Sequence, residues 1–218
     1  MRAYDSGHMK KSNVNLDWMA LTKAQPVLDS IPAALRGTAH RIDLGAGSTI
    51  YRIGDTVRNM LLVVSGEVRL LRRDKDGGEV ILQRSRSGFI AEASLDSRTY
   101  HCDVVVSEAS AVLSFPATHF RKVLEEDAKF GQAWRTLLAR EVRKLRAQCE
   151  RLSLHSAADK VMHYIESEGS NGSVTLNQTR KAWAAELGLT HEALYRTLKR
   201  LQHEGTLKVD GNRLGLGQ

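Results

Sequence analysis

The 218-residue chain carries a formal net charge of +7, with 42% hydrophobic and 26% charged residues. That balance excludes a mainly disordered, collagen-like or multi-span membrane protein and suits one large domain or two small ones. Apolar runs such as Met60 to Val64 fall far short of the ~20 residues a membrane helix needs, so no membrane partner is expected. Lys10 and Lys11 precede polar residues rather than the apolar core of a secretory signal, and Tyr4 to Met9 are left out of the fold argument. Two cysteines, Cys102 and Cys149, cannot make a disulfide framework, so a cytoplasmic, reducing setting is expected.

Residues 1 to about 20 show no clear period. From Ala39 to Pro116, short β-branched and apolar runs alternate with Gly and Asp punctuation. The runs are Arg41 to Leu44, Ser48 to Ile53, Met60 to Ser65, Val68 to Arg72, Val80 to Arg84, Phe89 to Ala93, Cys102 to Val106 and Ala111 to Phe115. Many short, regularly spaced strands predict a double-sheet jelly roll. From Ala117 the period becomes helical. A short helix over His119 to Glu126 precedes a long one from about Phe130 to Leu154. Leu138, Val142, Leu145, Cys149 and Leu152 follow a 4, 3, 4, 3 spacing on that helix, an a/d heptad stripe. Residues 134 to 151 carry six Arg/Lys against two Glu, so the rest of the helix is strongly charged. A narrow apolar stripe on a charged helix predicts a dimer seam. Cys149 would then face its own copy, as a small apolar residue, an intersubunit disulfide or a shared metal ligand.

Residues 156 to 218 predict a small second unit. Ala157 to Glu168 is a helix stopped by Gly169, and Ser170, Asn171 and Gly172 form a turn. Asp210 and Gly211, between two short alternating runs, signal a hairpin. Within Arg180 to Lys199, Ala184 is small where two helices cross, and Gly188 suits a turn needing positive φ. Trp183, Leu187, Leu189, Leu194 and Leu198 supply interhelical contacts, and Thr190 can cap the second helix. This is helix-turn-helix spacing, and the hairpin makes it a winged one. With Leu194, Leu198 and Leu201 buried, His191, Glu192, Tyr195 and Arg196 are left for solvent. His191, Glu192 and Arg196 are the predicted base readers, since Arg suits guanine and Glu accepts from cytosine. Glu192 and Arg196 also stand four residues apart, where a plain surface ion pair would form. Arg180, Thr190, Lys199 and Arg200 complete the predicted DNA-binding set, with Thr190, Lys199 and Arg200 assigned to phosphates.

A β-roll, a long dimer helix and a winged helix-turn-helix, in that order over about residues 30 to 215, resemble the Crp/Fnr superfamily of transcription regulators. The resemblance is carried by Gly45 to Asp55, Val64 to Leu70, Gly88 to Ser94 and Leu187 to Leu198. It implies an α+β chain. A double-stranded β-helix (jelly-roll) effector domain would span 20–129, a dimerisation helix 130–155 and a winged helix-turn-helix 156–218. Family recognition helices typically begin Ser-Arg-Glu with a second Arg one turn later. Thr190, His191, Glu192 and Arg196 hold those places here, so His191 replaces an Arg and alters one expected base contact.

In cyclic-AMP-binding members a Phe-Gly-Glu-Leu segment supplies a Glu for the ribose, and a later Arg-Ser pair holds the phosphate. Glu92 is kept here, followed by Ala93 and Ser94, whereas His101 and Cys102 stand where Arg and Ser would fall. A phosphate needs a fixed cation or several donors, so the altered pair argues against cyclic AMP, with nearby Arg98 the one candidate replacement. Leu145 and Arg146 take the places where the family often has hydroxyl residues on the base. Without an N-terminal cysteine cluster, no iron–sulfur cluster is expected. Haem on His101 or Cys102, and a metal site joining His101, Asp103 and Glu92 across one strand face, stay open.

The resemblance implies a homodimer on a near-palindromic double-stranded DNA site, with RNA polymerase and an unidentified small effector as further partners. Its half-sites would lie ~34 Å apart or a multiple of that. A cyclic-nucleotide-responsive or effector-independent regulator is the alternative within the same fold. A cupin-like metal enzyme is the alternative outside it, but the chain holds no His-x-His. From residue 156 onward, eight basic residues face seven acidic ones, leaving +1 there and +6 in the roll and long helix.

Overall fold

The computed structural model describes residues 10–12, 16–24, 26–73, 75 and 78–217. Tyr4 to Met9, and Asp76 and Gly77 in the punctuation between the Val68 to Arg72 and Val80 to Arg84 runs, lie outside the described residues. The chain forms two compact units, Met1–Trp134 and Arg135–Gln218. Among the described residues no helix is long and apolar enough to cross a membrane.

The first unit is an antiparallel roll. β1 (Lys10–Ser12), α1 (Trp18–Ala24) and α2 (Ala33–Arg36) precede β2 (His40–Leu44), β3 (Thr49–Tyr51), β4 (Asn59–Arg73), β5 (Glu79–Ser85), β6 (Gly88–Ile90) and β7 (Asp103–Pro116). The strand order is β1-β2-β7-β4-β5, with β3 on β7 and β6 on β4. The elements before His40 carry no periodic signal, because β1 is three residues long and α1 seven. β4 pairs with β6 through Leu61 to Val63 and with β5 from Val68 onward. β7 likewise pairs with β3 at Val104 and Val105, and with β2 from Ser110 to Ser114. Two long strands that change partners midway fold one sheet over itself. Its interior is packed by Leu61, Val63, Val68, Leu70, Ile90, Val104, Val106 and Val112.

Four of the eight expected runs are therefore two strands. Met60 to Ser65 and Val68 to Arg72 are halves of β4, and the last two runs are halves of β7. Gly66 does not end a strand. It sits at φ +84° where the β4–β7 register shifts, and a Cβ there would collide with the Ala109 carbonyl and the Ser110 hydroxyl. That is a bulge, which bends a strand without ending it. Phe89 to Ala93 also corrects: the strand stops at Ile90, and Glu92–Ser94 is a single 3₁₀ turn.

Beside the bulge, Glu67 is buried and receives Arg84 Nη1 at 3.0 Å, Arg86 Nη2 at 2.9 Å and the Ser107 hydroxyl at 2.8 Å. Burial would push this carboxyl up. The Ser107 hydroxyl and the two guanidiniums outweigh it and hold the group below its ordinary range. The cluster ties β4, β5 and β7 together where the ladder is interrupted.

α3 (Ala117–Glu126) and the first turns of α4 (Ala128–Ser153) close the roll. Phe120 packs edge-on against Phe115, Phe130 and Trp134, and Phe89 against Phe120 and Trp134. In the second unit, α5 (Ala157–Glu168), β8 (Ser173–Thr175), α6 (Arg180–Glu186), α7 (His191–His203), β9 (Leu207–Asp210) and β10 (Arg213–Leu216) follow. β10 pairs with both β8 and β9. Trp183, Leu187, Leu194, Leu198, Leu201, Leu207 and Leu214 fill the core between helices and sheet.

Candidate nucleic-acid interface and roll interior

α6 and α7 begin at threonine caps. Thr179 Oγ1 accepts from the Ala182 N–H at 3.2 Å, and Thr190 Oγ1 from the Ala193 N–H at 3.1 Å. Between the helices Gly188 takes φ +65°, the left-handed conformation the tight turn needs. Leu194, Leu198 and Leu201 point inward, joined by Thr197, which the leucine period alone does not show. His191, Glu192, Tyr195, Arg196, Lys199 and Arg200 are exposed. His191 and Tyr195 touch with ring centroids 4.6 Å apart. Glu192's own backbone N–H and the Thr190 hydroxyl, aided by His191 and Arg196, hold its carboxyl below the ordinary range. It is thus an ionised acceptor near the helix N-terminus.

Two arginines of the expected DNA-binding set are engaged by protein oxygens. Arg200 Nη1 lies 3.0 Å from Oε1 of Glu204, which caps the C-terminus of α7. Arg180 Nη2 donates to the Gly211 carbonyl in the β9–β10 turn at 2.7 Å, and its guanidinium stands 5.4 Å from the Trp183 ring centroid. Arg180 thus joins the start of α6 to the tip of the wing. A backbone carbonyl 31 positions away gave the sequence pattern no signal.

On α4, Leu138 is half-buried, while Cys149, Val142, Leu145 and Leu152 are exposed, the last three at 46%, 50% and 50%. The stripe expected at a dimer seam is therefore open in the single chain. Leu145 and Arg146 belong to the second unit and are exposed there.

Inside the roll, Ala91 takes φ +75°, a strained conformation for an alanine, and leads into the turn that presents Glu92. Glu92 is half-buried, Ala93 exposed and Ser94 buried. His101 is half-buried, with Nδ1 2.7 Å from Ser94 Oγ and its carbonyl accepting from Arg72 Nε at 3.0 Å. Arg98 is exposed. Tyr51 and Tyr100 stack with ring centroids 3.7 Å apart.

The metal site left open for His101, Asp103 and Glu92 is not assembled among the described residues. The strand starts at Asp103, one residue later than expected, so His101 and Cys102 lie in a bend where the two-residue alternation does not apply. The Asp103 carboxylate is taken up by Arg73 Nη1 and the Ile53 N–H, at 2.9 and 2.8 Å. Among the described residues no group of three or more His, Cys, Asp and Glu could hold a metal ion.

Cys102 is fully buried in the roll core, and burial foremost pushes its thiol up to about 11. At neutral pH such a thiol is about 10⁻⁴ thiolate, against a few per cent for an ordinary one. Iodoacetamide at pH 7 should therefore modify Cys149 and leave Cys102 intact until the protein is unfolded. Mass-mapped labelling of Cys102 in the native protein would contradict the placement.

Residues 41–127 match the cyclic nucleotide-binding domain family. The nitrogen fixation regulation protein FixK of Bradyrhizobium diazoefficiens is 26% identical over 200 residues, covering 86% of this chain and 84% of FixK. The cAMP-activated global transcriptional regulator Vfr of Pseudomonas aeruginosa is 24% identical, covering 79% and 86%. The solved structure of FixK2 from Bradyrhizobium japonicum shares the fold with a TM-score of 0.60 at 20% identity, covering 82% of this chain and 92% of that one. The chain thus carries a cyclic nucleotide-binding domain over residues 41–127, shares its fold with FixK2, and is similar along most of its length to transcription regulators of the Crp/Fnr type.

Proposed function

We propose that the protein acts as a homodimer on double-stranded DNA, each α7 entering the major groove of one half of a near-palindromic site. The carrying observation is the partition of α7. Leu194, Thr197, Leu198 and Leu201 are buried, and His191, Glu192 and Arg196 stand exposed along its N-terminal half. That half of a recognition helix faces base edges. Arg196 is assigned to a guanine, Glu192 to a cytosine amine, and Thr190 and Lys199 to phosphates. Arg180 is assigned to the wing, which it holds through Gly211.

The signal is proposed to be something other than cyclic AMP. His101, in the place of the phosphate-binding Arg, has its Nδ1 engaged by Ser94, and Cys102 faces the core. RNA polymerase stays in the proposal as a partner on the strength of the family alone.

The test begins with a site selected from random duplexes by the purified protein. Against that site Arg196→Ala should lose about 1–3 kcal/mol and relax preference at one base pair per half-site. Lys199→Ala should weaken all duplexes alike and lower the salt slope by about 1. An unchanged base preference in Arg196→Ala, read by anisotropy on single-substitution duplexes, would remove α7 from the reading.

A further inference from the structure

Only three residues separate α4, ending at Ser153, from α5, starting at Ala157. So short a connection between helices acts as a hinge unless something fixes the angle. Here a buried cation bridges the two helices. Arg151, in the last turn of α4, is 1% exposed. Its Nη1 donates to Ser167 Oγ at 2.9 Å, its Nη2 to Glu168 Oε1 at 3.2 Å, and its guanidinium stands 4.8 Å from the Tyr164 ring centroid. All three partners lie on α5. Tyr164 in turn packs edge-on against Trp183 of α6, with ring centroids 5.3 Å apart. One turn before Ser167 on α5, His163 Nε2 lies 3.3 Å from Oε2 of Glu150, the residue preceding Arg151 on α4.

A buried arginine is a poor source of stability, since desolvation offsets most of its attraction. Leucine would fill the space with less cost. What a guanidinium adds is direction: a planar fork that satisfies a hydroxyl and a carboxylate while lying against a ring can do so at one angle only. We propose that Arg151 is a latch that fixes the angle between α4 and α5. The C-terminal half of α4 and the winged helix-turn-helix then turn as one body, and the latch sets the half-site spacing the dimer accepts. Arg151 is a positioning residue in this scheme and touches no DNA. The inference rests on the two-site DNA-binding reading above for its consequence, but not for the latch itself.

The experiment uses full-length protein, wild type, Arg151→Met and Glu168→Gln. The second variant keeps the side-chain shape and removes the charge partner, in case Arg151→Met fails to fold. Affinity is measured for a single half-site, for the palindrome, and for palindromes with one base pair added or removed. One pair shifts the half-sites by ~3.4 Å and rotates them by about a tenth of a helical turn. Wild type should discriminate against altered spacing. Both variants should keep their half-site affinity and lose about tenfold or more of that discrimination. Retained discrimination would reduce Arg151 to a packing residue. In parallel, spin labels at Ala139→Cys and Gln202→Cys in a Cys149→Ser background, diluted with unlabelled protein, report the distance from α4 to α7. A broadened distribution in both variants supports the latch, and an unchanged one overturns it. If wild type shows no spacing preference, the two-site reading fails, and the distance measurement still decides the latch.

Discussion

Val142→Glu with Leu145→Glu is expected to turn the protein into a monomer and to weaken binding to a two-half-site duplex by about 10²–10⁴-fold, the usual gain from joining two binding events. Both positions lie on the open stripe of α4, 46% and 50% exposed in the single chain. In a heptad seam, a and d side chains insert between residues of the facing helix. Carboxylates there would be desolvated beside their own copies, with like charge and no partner. The remainder of the helix carries Arg140, Arg143, Lys144 and Arg146, all exposed, which keep it soluble without a seam. Affinity for a single half-site should stay within about twofold, because neither residue belongs to the DNA-binding set. Sedimentation equilibrium reads the monomer, and anisotropy on half and full sites reads the loss. A double variant that stays dimeric would place the seam on another face.

The readable parts of this chain were those whose cause is local. Thr190 and Gly188 act within four residues of themselves, so the cap of the second helix and the turn before it could be placed from spacing, while the like cap at Thr179 was missed. The leucines of α7 repeat at the helical period, and their burial follows. The α4 stripe was visible for the same reason. The bulge at Gly66 was hidden because its cause is the pairing of β4 with β7, more than 40 positions away, where the Ala109 carbonyl leaves no room for a side chain. A glycine between two apolar runs looks identical whether it ends a strand or bends one.

Long charged side chains were the other blind spot. Arg151 was counted with the charged face of α4, yet it is buried against α5. Arg180 was assigned to DNA, yet its guanidinium is turned to the wing. Asp103 was grouped with a metal set, yet Arg73 takes its carboxylate. In each case the deciding partner is a hydrogen-bonding group 16 or more positions away, which periodicity does not register. The roll interior was the least legible region because a bend, rather than a strand, carries His101 and Cys102. Net charge gave no pointer to this unit either, since residues 156 to 218 carry only +1 of the chain's +7.

Trp183→Ala should cost the second unit about 3–5 kcal/mol, the range for deleting a fully buried large aromatic. Trp183 is 0% exposed, packs against Tyr164 and lies beneath the Arg180 guanidinium. Its loss leaves a cavity where α5, α6 and the base of the wing meet. Small domains hold ~5–15 kcal/mol in all, so this is a large share of what the unit has. The roll core shares no residue with this cluster. Calorimetry should therefore show one transition displaced to lower temperature and the other in place. DNA binding should fail at temperatures where the roll is still folded. Trp183→Phe separates packing from polarity. The indole N–H has no hydrogen-bond acceptor among the described residues, so replacing it removes no bond and relieves a buried donor. That variant should lose under about 1.5 kcal/mol and keep its DNA affinity. If phenylalanine proved as damaging as alanine, the indole nitrogen would have to serve a partner that packing does not reveal, and the cavity argument would fall.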